Sequence, residues 1–174
     1  MTGVQLEVFV DFLCPDCAAA FPTLKRLAAH YLDSLQLTIH PFPLPYHVHG
    51  FLAAKSVHVV ASANSAKVFL YAQILWDHVD ELNAGSQNLT VIQAEAELGA
   101  LASFAMSPDK FLDGMRDVGL ELETRVAWKY ACTRGVYGTP TFFLNGVLVS
   151  ASPTWSVGQW RKLIDPIVAG APAR

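Results

Sequence analysis

Charge is scarce in this chain, and it never clusters. Asp, Glu, Lys and Arg make up 16% of the 174 residues, the net charge is −3, and there is no run of Lys and Arg. That excludes the basic footprint of a nucleic-acid binder. Long apolar runs are missing too, although 52% of the residues are hydrophobic. The long uncharged stretch from Gly135 to Gln159 is interrupted by Pro140, Gly146 and Pro153. No stretch therefore reaches the roughly 18–20 apolar residues of a membrane-spanning helix. The apolar excess is expected to fill a large core and to leave an exposed patch for a partner or substrate. Three cysteines are too few for a disulfide framework, and no second CxxC is present to complete a zinc site. No secretory leader precedes the first strand-like run. The expectation is a cytoplasmic chain, or a periplasmic or extracytoplasmic one if a leader has been removed.

What the chain does have is Cys14-Pro15-Asp16-Cys17, at the junction of a strand pattern and a helix pattern. Val4 to Val10 is apolar at every second position, the signature of a half-buried strand. Cys17, Phe21, Leu24, Ala28 and Tyr31 then recur at helical spacing. Pro15 suits a first helical turn, where its missing N–H is not needed. Cys14 is thereby placed at a helix N-terminus, where free amides and the macrodipole stabilise an anion such as a thiolate. Cys17 lies one turn along the same helix, within reach to close a disulfide. The pair reads as a redox dithiol. Asp16 is expected to oppose the helix end by repelling the thiolate, which would make the pair more reducing. Of the three cysteines, only Cys14 is expected to be exposed; Cys132, one turn from Trp128, is expected to be a buried small hydrophobe. His40, His47 and His49 read as exposed loop residues.

Further along, Leu35 to His40 alternates as a second strand, followed by the proline-rich Pro41–Tyr46. A long helical block runs from about Val48 to Arg134. Within it, Val68, Tyr71, Leu75, Val79 and Leu82 mark one helical face, Asn83 to Asn88 reads as a loop, and Val91 to Ala105 as another helix. Ser107-Pro108-Asp109 starts a short helix, and Glu121 and Arg125 pair at i,i+4. Asn145-Gly146 between Thr141–Leu144 and Val147–Val149 is a strong hairpin signal. A final helix presents Trp160, Leu163, Ile164 and Ile167, and a Pro/Ala tail ends the chain. Pro22 is expected to kink the first helix. The expected fold class is α/β, a thioredoxin-like fold with a helical insertion between the second strand and the hairpin.

Three segments resemble the DsbA-like family of thiol–disulfide oxidoreductases. They are Asp11-Phe12-Leu13-Cys14-Pro15-Asp16-Cys17, Phe42-Pro43-Leu44-Pro45-Tyr46-His47, and Gly135 to Gly146 with Thr139-Pro140 inside it. The resemblance implies one domain over 1–174, with a thioredoxin core at about 1–40 and 136–170 and the insertion at about 47–134. It implies that Cys14 attacks and Cys17 resolves and that a cis Thr139–Pro140 segment faces the dithiol. Thr139 could then pair with a substrate main chain. Pro15 and Asp16 are expected to tune the thiol, and Asp16 departs from the family, whose members often carry a histidine or an uncharged residue there. The implied partners are protein thiols or disulfides and a redox recycling partner, with glutathione a further candidate. No metal or organic cofactor is called for, since the dithiol itself carries two electrons. Two other readings are a kappa-type glutathione transferase or related isomerase, and a non-catalytic binding module. The first generally lacks a cysteine at the position of Cys17; the second would bind partners normally without either active-site cysteine.

Overall fold

The computed structural model describes residues 3–86 and 88–170. Strand β1 (Val4–Val10) leads through a tight turn into helix α1 (Pro15–Tyr31), and a 3₁₀ turn returns the chain to β2 (Leu35–Pro41). Six helices follow: α2 (Gly50–Ala63), α3 (Val68–Asp77), α4 (Val79–Ser86), α5 (Val91–Leu101), α6 (Pro108–Arg116) and α7 (Val118–Thr133). The hairpin β3 (Thr141–Leu144) and β4 (Val147–Val149) and helix α8 (Val157–Val168) complete the fold. The sheet order is β2-β1-β3-β4, with β1 parallel to β2 and antiparallel to β3. This is a thioredoxin-like α/β fold with a helical insertion between β2 and the hairpin.

The alternation of β1 decides which layer covers which face of the sheet. Val4, Leu6, Val8 and Val10 are buried with Leu24 and Leu27 of α1 and with Trp160 and Ile164 of α8. Phe9 points to the opposite face and is buried among Phe42, Ala131, Val136 and Phe143, where α7 closes the second layer. Adjacent residues of β3 divide in the same way. Phe142 meets the Trp160 ring edge-on at 5.1 Å, and Phe143 meets Phe9 at 5.5 Å. The hairpin has φ of 48° at Asn145 and 80° at Gly146, the two positive values of a type I′ turn. Asn145 also accepts the Gln5 amide through Oδ1 at 2.8 Å, tying the turn to β1.

Several local expectations change in the folded chain. α4 continues through Asn83 to Ser86 where a loop was expected, because Asn83 Nδ2 donates to the Leu13 carbonyl at 2.8 Å and holds that turn in place. The face running from Val68 to Leu82 is split between two helices at His78, whose Nδ1 donates to the Ile74 carbonyl at 2.9 Å. A side chain competing for a backbone carbonyl in this way favours a break. The helix begun at Val91 ends at Leu101; the turn beyond it is held by Lys67 Nζ, which donates to Phe104 O at 3.0 Å. Leu163 is exposed although it follows the apolar spacing of α8. α1 continues past Pro22 to Tyr31, a continuity that a proline kink leaves intact. The Pro/Ala tail at 171–174 lies outside the described residues. Among the described residues, no helix is long and apolar enough to cross a membrane.

The insertion packs closely where α6 crosses α2. A Cβ built on Gly114 would lie 2.6 Å from Val59 Cγ1, and Val59 is buried with one strongly preferred helical rotamer. Gly114→Ala is therefore expected to destabilise the protein by about 1–3 kcal/mol through overpacking. A lower urea midpoint with an unchanged slope would show this. An unchanged midpoint would mean that α6 can back away freely.

Candidate active site

The turn that presents Cys14 is built around a buried acid. Asp11, at the end of β1, is 1% exposed. Its Oδ1 accepts from Leu13 N at 2.7 Å, and its Oδ2 accepts from Leu44 N and from His47 Nδ1, both at 2.7 Å. Its main-chain carbonyl takes the Cys14 amide and the Trp76 indole N–H, each at 3.1 Å. Trp76 in turn packs on Phe12 and Phe21, with ring centroids 5.3 and 4.6 Å away. One residue thus joins the end of β1, the start of α1, the loop after β2 and helix α3.

Cys14 occupies the N-cap of α1 with extended backbone, and Pro15 follows at the first helical position. Cys17 and Ala18 donate their amides to the Cys14 carbonyl. Both cysteines are free thiols here. The Cys14 thiol is lowered to about 6. The hydrogen bond from Cys17 is the largest cause; burial opposes it, and Thr139 and the main-chain amides of Cys17 and Asp16 assist. Burial pushes the Cys17 thiol well above its ordinary value, and the Cys14 sulfur adds to that rise.

The chain reaches the dithiol from the other side through the end of α7. Gly135, with φ of 72°, follows the Arg134 cap. Its amide donates to Cys132 O and that of Val136 to Ala131 O, which is the Schellman pattern. Arg134 is anchored by Glu7, with its Nη1 3.3 Å from Oε2, and sits 4.4 Å over the Phe143 ring. Beyond this cap, the Thr139–Pro140 peptide bond is cis. The Cys14 thiol donates to the Thr139 carbonyl at 3.5 Å. The Thr139 hydroxyl is buried without a hydrogen-bond partner in this arrangement. The two sulfurs are the groups it can turn to, and it lowers both thiols.

Four of the six residues singled out in the sequence, Cys14, Cys17, Thr139 and Pro140, therefore come together, with Pro15 beside them. Asp16 is exposed and acts on Cys14 through its amide, so the expected carboxylate repulsion is not among the leading influences. Two expectations about cysteine burial are reversed. Cys14 is only 6% exposed, since the Thr139 carbonyl covers it. Cys132 is exposed, because α7 buries Thr124 and Ala131 and Cys132 lies about 100° past Ala131. The histidines are not free loop residues. His40 lies in β2 and stacks on Phe9 at 4.7 Å, His47 holds Asp11, and His49 Nε2 is 3.2 Å from Leu89 O. Both Asp11 and His47 lie inside the quoted motifs, but from sequence alone Asp11 takes no role and His47 only an exposed loop position. An acid set between a strand and Phe12-Leu13 was the available signal, since a buried carboxylate demands partners.

Asp11→Ala would leave the Leu13 and Leu44 amides and His47 Nδ1 without their acceptor. It is expected to cost roughly 2–5 kcal/mol. Asp11→Asn should cost less than Ala but still destabilise, because either amide orientation turns an NH₂ toward a donor. Urea unfolding of both variants measures this; two wild-type-like midpoints would remove Asp11 from its central place.

The comparisons with known proteins follow the same geometry. The family model described as Thioredoxin matches residues 2–166. A candidate protein-disulfide isomerase from Pseudomonas syringae superposes with a TM-score of 0.83 at 20% identity, covering 92% of this chain and 93% of that one. The oxidoreductase DsbA from Xylella fastidiosa superposes with a TM-score of 0.71 at 18% identity, covering 97% and 86%. Both are likenesses of fold. The Na(+)/H(+) antiporter NhaA from Herminiimonas arsenicoxydans aligns at 27% identity over 143 residues, which is 82% of this chain but 21% of the antiporter. The chain thus spans about a fifth of the length of that curated relative. With the sheet, the insertion and the match over residues 2–166 in agreement, the chain belongs to the thioredoxin family.

Proposed function

We propose that this chain is a thiol–disulfide oxidoreductase that exchanges disulfides with protein substrates through Cys14 and Cys17. The observation that carries the reading is the paired setting of the two sulfurs. One is an N-cap thiol lowered to about 6 and touching the Thr139 carbonyl; the other is a buried thiol one turn further on, raised instead. From the oxidised form, a substrate thiolate attacks Cys14 Sγ. The Cys14–Cys17 bond breaks, and Cys17 leaves with the electron pair and takes a proton. A second substrate thiolate then attacks the substrate sulfur of the mixed disulfide, and Cys14 leaves as the thiolate. Two electrons have passed to the protein and a disulfide to the substrate; reduction runs the same steps backward. Stabilising the Cys14 thiolate favours the reduced protein and so supports the oxidising direction.

In this reading Pro15 and the main chain of Asp16 tune the thiol, while Thr139 and Pro140 orient the substrate chain. The catalytic core is about 1–40 and 136–170, and about 47–134 is an inserted unit that braces it through Trp76 and Asn83. The partners are protein thiols and a recycling partner, with glutathione a candidate for that second role. Cys17 disfavours the glutathione transferase reading, since a buried neighbour able to close a disulfide serves exchange rather than conjugation.

The test is cleanest in a Cys132→Ser background, because Cys132 is exposed. Alkylation of the reduced protein by a small reagent should rise with pH, with a midpoint at about 6, and then level off, because only the thiolate reacts. A midpoint near the ordinary thiol value of about 8.5 would contradict the assignment. Cys17→Ser should accumulate mixed disulfides with substrate proteins and Cys14→Ser should not; the reverse pattern would exchange the two roles.

A further inference from the structure

A groove of about 470 Å³ lies between the loop after β2 and helix α7. Its floor is Phe42, on which Trp128 stacks at 5.9 Å with the rings 10° from parallel. Trp128 is 41% exposed and Tyr137, at the groove's end, is 94% exposed. Two cations, Arg125 and Lys129, line it, and no acidic residue does. Arg125 shares Glu121 with Lys55. Lys129 has no hydrogen-bond or ion-pair partner among the described residues, and it is exposed. A second groove of about 420 Å³ runs along α1, but there Asp77 lines the wall and Lys25 is bound to Gln73. The first groove joins exposed aromatic surface to two cations with no acid in its lining, whereas the second sets Asp77 against Lys25 and Arg26.

The groove joins the dithiol by two routes. Tyr137 precedes Thr139 by two residues, an extended span of at most ~7 Å, and Thr139 O contacts Cys14 Sγ. His47, in the groove wall, holds the Asp11 carboxylate that shapes the Cys14 turn. A polypeptide disulfide-bonded to Cys14 and lying along Thr139 would carry its flanking residues past Tyr137 toward Trp128 and Lys129.

We propose that this groove selects substrates, taking polypeptide segments that carry an aromatic side chain and an Asp or Glu a few residues from the reactive cysteine. The inference rests on the oxidoreductase reading and names its substrate class. The aromatic side chain stacks against Trp128 and Tyr137, and the carboxylate meets Lys129 and Arg125. A rim charge of this kind acts mainly on association and on discrimination between partners.

The test uses two reduced peptides identical in one cysteine and one tryptophan, with either two Glu or two Lys beside them. At low ionic strength the oxidised protein should react about fivefold faster with the acidic peptide, and added salt should shrink that preference. Lys129→Glu, at an exposed position, should abolish or reverse it. Ser-for-Cys versions of both peptides, followed by fluorescence anisotropy, report occupancy without any chemistry and should show the same order of binding. Equal rates and equal binding of the two peptides, or a preference that Lys129→Glu leaves intact, would overturn the proposal. So would sedimentation showing that the groove is closed by a second copy of the chain. If neither peptide exchanges but the acidic Ser peptide still binds selectively and loses that selectivity in Lys129→Glu, the oxidoreductase reading fails and the groove's preference stands.

Discussion

A carboxylate with essentially no contact with water holds this site together. Leaving a buried acid without partners is costly, and Asp11 meets that demand with three donors from two stretches of the chain: Leu13 N, and Leu44 N and His47 Nδ1 of the loop after β2. Each donor fixes something different. Leu13 shapes the turn that aims Cys14, Leu44 brings the loop after β2 against the end of β1, and His47 ties in the segment that becomes the groove wall. The Asp11 carbonyl adds Trp76, so the insertion is fastened at the same point. The arrangement is cooperative because the donors are main-chain groups and a ring rather than flexible charged side chains. Little side-chain entropy is lost in holding them.

The second half of the site is delivered by a different device. α7 must stop and turn so that residues 138–140 face α1. Gly135 permits this with a positive φ, and the amides of Gly135 and Val136 satisfy carbonyls of the last turn. Ala131 and Val136, the residues whose backbones are joined, are also buried together beneath Phe9 and Phe143. The cap is thus part of the second core. The fold thereby places two chain segments more than a hundred residues apart on either side of one sulfur.

How much of this could be read beforehand depended on how local the cause was. Period-2 and helical spacing, Pro15 at a helix start, and Asn145-Gly146 are decided within a few residues, and they placed the strands, α1 and the hairpin correctly. Helix ends in the insertion were misread where a distant group decides them. Asn83 stays helical by reaching Leu13, and the turn after Leu101 is held by Lys67. Cys132 was misjudged because pairing it with Trp128 chose the wrong stripe of α7; the buried stripe runs through Thr124 and Ala131. His47 does lie in a loop, but it looked exposed because nothing near it in sequence reveals an acid thirty-six residues earlier.

The opposed settings of the two thiols follow from a displacement of one helical turn. At the N-cap, Cys14 receives hydrogen bonds from the Cys17 thiol, from Thr139 and from the amides of Cys17 and Asp16, and together these outweigh its burial. One turn in, those amides are already committed and little water reaches the sulfur, so desolvation governs Cys17 and a neighbouring thiolate raises it further. The hydrogen bond that lowers Cys14 also raises Cys17, since a proton shared between two sulfurs stabilises the anion on one by keeping the other neutral. In the exchange reaction proposed for this chain, that asymmetry would assign the order of events: substrates would meet the sulfur that leaves easily, and the sulfur that holds its proton would be kept back to close the ring. Reversing the two positions would put the poorer leaving group on the substrate side, where a mixed disulfide would resolve slowly.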